Sequence, residues 1–183
     1  MLRSLKRRAE FQRKAGEIYG VIVTRARQPA FYAHLGIPDT PAGRYEMVVL
    51  HLFLVLERLR REGSTAETLA RALIEAFVSD MDDAVREMGT GDVGVAKRVR
   101  RAVAGFYERS KDYREALAAG ERQALELTLA RHARGLGAAD QRIGALSDYV
   151  RNAVASLADQ QGANLNEGRI SLPKLSLIAE RVP

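Results

Sequence analysis

Residues 44–61 read RYEMVVLHLFLVLERLRR, and this stretch decides the fold. Tyr45, Val48, Val49, Leu52, Phe53, Leu56 and Leu59 recur at intervals of three and four, the period of one face of an α-helix. Met47, Leu50, Leu54 and Val55 widen the apolar surface beyond that stripe, so this helix is expected at the centre of the molecule, the most buried of all. Its strongly apolar run, Met47 to Leu56 with His51 inside it, is half of the roughly 20 residues that span a bilayer, so no membrane-crossing helix is expected.

Working outward toward the C-terminus, Gly63 and Ser64 read as a helix stop followed by a cap, with Glu67 completing a capping box. The next helix carries Leu69, Leu73, Phe77, Met81 and Val85 on one face for about five turns. Gly89-Thr90-Gly91-Asp92 breaks it, and Asp92 caps a further helix with Val95, Val99, Val103 and Phe106 on its core face. A shorter helix over 121–134, a break at Gly135 and Gly137, and a helix with Ile143, Leu146, Val150, Val154 and Leu157 inward complete the series. Toward the N-terminus, Phe11, Ala15, Ile18, Tyr19, Ile22 and Ala26 lie on one helical face. Pro29 ends that helix or begins a short turn carrying Phe31, Tyr32 and Leu35, and Pro38, Pro41 and Gly43 mark a loop to about Ala42. Pro173 among Ile170, Leu172, Leu175 and Leu177 argues for an extended strap rather than a sheet strand. The expectation is an all-α, single-domain bundle of about six long helices with an extended C-terminal tail. Its divisions are a basic helical extension at 1–16, the domain at 17–160 and the tail at 161–183.

At 183 residues, a chain buries roughly 70% of its unfolded surface, so a core can stand without metal or disulfide. The absence of cysteine excludes thiolate zinc, iron-sulfur and cysteine-nucleophile chemistry. The net charge of +6 resides in residues 1–28, which hold eight Lys or Arg and two Glu. Arg3, Lys6, Arg7, Arg8, Arg13 and Lys14 form a patch that attracts phosphate-rich surfaces, anionic lipid or ribosomal RNA, or else a solvated helix start. The segment lacks the apolar stretch of a secretory signal, and Glu10 and Glu17 weigh against a transit peptide.

Gly89-Thr90-Gly91-Asp92-Val93-Gly94 matches a dinucleotide fingerprint only literally: a helix precedes it where a strand is required, and Asp92 repels phosphate. His34, His51 and His132 are too far apart to suggest a metal site, and His51 reads as a satisfied core histidine. No metal and no cofactor are expected. Asp80, Asp82, Asp83 and Glu87 crowd the negative end of a helix dipole and ask for cations. Lys97, Arg98, Arg100 and Arg101, or Arg44, offer an internal pairing, and a partner's basic loop offers a docking one. Tyr107, Arg109, Lys111, Tyr113 and Arg114 extend a basic stretch interleaved with aromatics, the pattern of an RNA contact or of a solvated helix with tyrosine at its core edge. An isoprenoid or phospholipid enzyme would place magnesium at Asp80, Asp82 and Asp83, but no second acidic motif faces them.

The blocks FYAHLGIPDT (31–40), GRYEMVVLHL (43–52), FVSDMDD (77–83) and REMGTGD (86–92), followed by KRV (97–99) and FYER (106–109), resemble the ubiquinol-cytochrome c chaperone family. The similarity runs from about Tyr19 to Leu117 and is less distinct in the last third, while the short N-terminus resembles bacterial members. The resemblance implies a non-catalytic assembly factor for complex III that binds newly made cytochrome b, with no small-molecule substrate. It also implies a second assembly factor, a ribosome contact, and a cytoplasmic location with peripheral contact at the inner face of the cytoplasmic membrane. The surface expected to receive the client is built by 44–61, 64–88 and 92–109, with Asp80, Asp82 and Asp83 meeting its basic loop and Met81, Arg44, Glu46, Lys97, Arg98 and Tyr107 beside them. The alternative is an RNA- or ribosome-binding module using the basic N-terminus and the 97–114 helix.

Overall fold

A computed structural model describes residues 2–87, 89, 92–133 and 140–175. It contains α1 (Leu2–Ala26), α2 (Pro29–Ala33), α3 (Pro41–Arg60), α4 (Ser64–Glu87), α5 (Asp92–Ala119), α6 (Arg122–His132), α7 (Gln141–Ala158) and α8 (Gly162–Asn166). Six are long, two are single short turns, and no strand occurs among the described residues.

The central helix is α3, which packs on α1, α4, α5 and α7. Every residue from Met47 to Val55 is buried, which is why its apolar surface shows no single stripe. It starts three residues earlier than the apolar periodicity suggests. Thr40 caps it by accepting from the Gly43 amide at 3.2 Å, and Pro41, which needs no amide partner, occupies the first turn. Gly43 is required there because a Cβ would stand 1.9 Å from the Pro38 carbonyl oxygen.

Helix α4 covers α3 with Leu69, Leu73 and Phe77, and α1 lies along α4 through Ala15, Ile18, Tyr19 and Ile22. The expected capping box at Ser64 does not form: Ser64 is already the first helical residue, and Glu67 turns forward to Arg71 at 3.5 Å. Gly63 makes the turn at φ +69°, a conformation a side chain disfavours. Helix α1 continues unbroken through Gly16, and the charge boundary falls inside it. Gly135, Gly137 and Leu177 lie outside the described residues.

The tail is a strap with a helical turn in it. In α8 Leu165 is buried; beyond it, Arg169–Leu175 has neither helix nor strand, and Leu172 inserts into the core. Arg25 donates to the Leu172 carbonyl at 2.7 Å, while the Gln160 amide group donates to Ser171 O and accepts from Ser171 N.

Candidate functional site

The three aspartates of α4 do not form one patch, because helix geometry turns successive side chains in different directions. Asp80 faces α1 and accepts from the Tyr19 hydroxyl at 2.7 Å, and burial together with this carboxylate pushes the tyrosine far above its ordinary pKa. Asp82 accepts from Arg86 at 2.5 Å, one turn on. Asp83 alone is exposed with no partner among the described residues. Met81 is partly buried against the core. Among the described residues no group of acidic or histidine side chains gathers as metal ligands, so these aspartates do not converge on one ion.

The cations expected to neutralise them look elsewhere. Arg44 pairs with Asp39 at 2.7 Å, and the Arg100 Nε donates to the Ala96 carbonyl at 3.3 Å. Lys97, Arg98 and Arg101 are exposed and unpartnered among the described residues. Helix orientation decides this: the core stripe Val95, Val99 and Phe106 turns the cations of α5 outward, away from α4.

Glu46, expected at the client surface, and Tyr113 of the basic-aromatic stretch both belong to the interior. Glu46 is 4% exposed and accepts from Arg109 Nε at 2.6 Å and Nη2 at 2.7 Å, a bidentate pair joining α3 to α5. Tyr113 is buried between Phe53 and His132, with centroids at 5.4 and 5.5 Å, so the basic-aromatic stretch is not one surface. At the N-terminus, Arg13 pairs with Glu17 and Lys14 with Glu10, both at 2.6 Å, whereas Lys6, Arg7 and Arg8 are exposed without partners among the described residues. The Arg3 side chain lies outside the described residues, as do those of Asp92 and Val93 and residues Thr90 and Gly91 of the glycine-containing turn. Gly89, at φ +74° between α4 and α5, marks a helix-to-helix turn.

What the structure brings together is an apolar trough between α4 and α5, with the end of α3 as its floor. One section, of about 440 Å³, is lined by Leu56, Ala70, Ile74, Phe106 and Tyr107. The trough continues along α4 past Ile74 to Val78. Tyr107 stands in its wall with 54% of its surface exposed, whereas large apolar side chains elsewhere are mostly covered. Ser110, 6% exposed, also lines it, and its Oγ has no hydrogen-bond partner among the described residues. Of these residues only Tyr107 was expected at a binding surface, since Leu56 and Phe106 read as core positions in the sequence. The signal for the rest is Ala70, Ile74 and Val78, a second apolar row at intervals of four beside the core stripe of α4.

An exposed apolar trough of this kind, flanked by charge, is a surface on which a ligand, a membrane or another protein can dock. The family model described as ubiquinol-cytochrome C chaperone matches residues 33–172, and the chain belongs to that family, whose members are assembly factors of complex III. The match runs well past Leu117, so α6, α7 and the strap are part of the family domain. The chain is similar to the crystal structure of the Cbp3 homolog from Brucella abortus, with a TM-score of 0.82 and 35% identity over 95% of this chain and 97% of that one. It is also 25% identical over 149 residues to the Xenopus laevis ubiquinol-cytochrome-c reductase complex assembly factor 1, covering 81% of this chain and 74% of that protein.

Proposed function

We propose that this chain is a non-catalytic chaperone that holds newly made cytochrome b on the α4–α5 trough while complex III is assembled. The exposure of Tyr107 within an apolar depression carries the proposal, since half-exposed aromatic side chains in a groove are the usual anchors of a protein contact. An apolar client segment lies against Ile74, Val78 and Tyr107, and its basic loop meets Asp83 and Asp82 at the C-terminal end of α4, one turn beyond Val78. Asp80, Glu46 and Arg44 serve the fold or local ion pairs in this arrangement. Lys97 and Arg98 supply cations on α5 for a further partner, a second assembly factor or the ribosome.

Lys6, Arg7 and Arg8 are free for an anionic surface, which supports peripheral contact at the inner face of the cytoplasmic membrane. Among the described residues no helix is long and apolar enough to cross a membrane. The same three cations also support the ribosomal alternative.

Photo-crosslinking from positions 74, 81 and 107, with 7 and 98 as comparison, tests this in cells making tagged cytochrome b. Adducts to cytochrome b from 74 and 107 are expected, and Tyr107→Ser should weaken capture roughly tenfold or more, as loss of a contact anchor does. If the trough positions gave no cytochrome b adduct and positions 7 and 98 reached only RNA or ribosomal protein, the ribosome-binding reading would replace this one.

A further inference from the structure

On the opposite side of the α3 C-terminus, separated from the trough by the ion pairs of Glu57 with Arg60 (2.6 Å) and Arg114 (2.9 Å), lies a second cavity of about 430 Å³. Its floor is apolar, built by Leu54 of α3, Leu117 of α5, and Val154 and Leu157 of α7. Five arginines are among its lining residues, Arg58, Arg60, Arg61, Arg114 and Arg151, with Glu57 the one acidic residue beside them.

These arginines are not equivalent. Arg58 is built into the fold: Nε donates to Leu157 O and Nη2 to Gln160 O, both at 2.7 Å, and Nη1 pairs with Glu62. Arg60 and Arg114 share Glu57. Arg61 is exposed and has no side-chain partner among the described residues. Arg151 donates one Nη to Gly120 O at 3.2 Å, and its Nε is buried with no acceptor among the described residues. Over its carbon floor the pocket therefore holds one guanidinium with no partner among the described residues, Arg61, and one with a single backbone acceptor, Arg151, while Glu57 is already shared by Arg60 and Arg114.

We propose that this cavity binds an anionic amphiphile, an acyl chain carrying a phosphate-type headgroup, with the chain on the Leu117–Val154 floor and the headgroup at Arg61 and Arg151. Guanidinium forks match the oxygens of a phosphate group, and the surplus of positive charge selects an anion. The arginines around an apolar floor, rather than a volume that matches one section of the trough, distinguish this cavity from the client surface. The proposal is independent of the client trough, because Tyr107 and Ile74 do not line this pocket.

The test is titration calorimetry of the full chain with lysophosphatidylglycerol below its micelle concentration, beside lysophosphatidylcholine of equal chain length and inorganic phosphate. Saturable one-site binding is expected for the anionic lysolipid, at least tenfold tighter than for either comparison. Arg61→Gln, and separately Ala155→Trp, which fills the cavity from an exposed position, should each weaken it tenfold without moving the thermal midpoint. Equal affinity for the zwitterionic lipid, binding by phosphate alone as tight as by the lysolipid, or full binding by Ala155→Trp would overturn the proposal. Flotation with phosphatidylglycerol vesicles then distinguishes the sources: loss of flotation in Ala155→Trp assigns a bilayer lipid, and retention assigns a free monomeric one. Tyr107→Ser should leave lysolipid binding unchanged, which separates this site from the client surface.

Discussion

His51 has no exposed surface, and its two ring nitrogens lie 2.7 Å from the Met47 carbonyl and 2.7 Å from the Tyr149 hydroxyl. A carbonyl can only accept, so Nδ1 carries the proton and Nε2 accepts from Tyr149, leaving the ring neutral. Phe31 packs edge-on against both rings, at 5.4 and 5.0 Å. Burial lowers the histidine pKa from 6.5 to about 4. The unfolded chain thus binds a proton that the native state refuses between those values. Stability from this group is complete above pH 6.5 and falls as the pH drops toward 4. From pH 7 to pH 5 the loss should be about 2 kcal/mol, at 1.36 kcal/mol per pKa unit. Urea unfolding at the two pH values should show a smaller difference in His51→Gln than in the parent; an unchanged difference would mean that His51 is not the group responsible.

At the scale of elements, α3 and α5 are joined by polar anchors set among carbon. Tyr45 donates to Ala102 O at 2.7 Å and lies under the Arg109 guanidinium at 5.5 Å, while Glu46 holds that guanidinium by two bonds. Residue 105 is glycine beside these anchors: a Cβ there would stand 2.9 Å from Arg109 Nη1 and 3.0 Å from the Tyr45 hydroxyl oxygen and would press on both. Removing one member of such a pair strands a largely buried charge, so Glu46→Ala should cost about 3–5 kcal/mol. The double change Glu46→Met with Arg109→Met should recover most of it, since apolar side chains of similar volume restore packing without an unpaired ion. A thermodynamic cycle from urea denaturation measures the coupling, and additive costs would show that the pair contributes nothing beyond its parts.

Across the whole molecule, α1 is both a basic extension and a structural layer. Side chains 6–10 are exposed, Phe11 is partly covered, and the buried stripe of Ala15, Ile18, Tyr19 and Ile22 begins at Ala15. A cut at residue 16, where the charge pattern suggests a boundary, would remove Ala15 from the core. Deleting residues 1–10 should therefore move the thermal midpoint by no more than about 4 °C, the shift that accompanies about 1 kcal/mol in a domain of this size. Deleting residues 1–19 removes Ile18 and Tyr19 as well, leaves Asp80 without its donor, and should abolish the cooperative transition. Calorimetric scans of the two truncations decide the point. Vesicle or ribosome binding is to be read on the shorter deletion, whose fold stays intact.

The sequence by itself determined the elements: the apolar stripes of α1, α4 and α7, the all-round apolar surface of α3, and the glycines at 63 and 89 follow from local period and local backbone preference. It also carried the burial of His51, whose neighbours one turn away, Met47 and Val55, are apolar. Only tertiary structure decided the polar assignments. Asp80 is claimed by Tyr19 across 61 residues and Glu46 by Arg109 across 63, whereas Asp83, three positions along the same helix, is left to solvent. A carboxylate's type and helical position do not say which helix will lie against it. The α4–α5 trough and the arginine-lined cavity arise from the spacing of packed helices, and that spacing is set by contacts between residues distant in the chain.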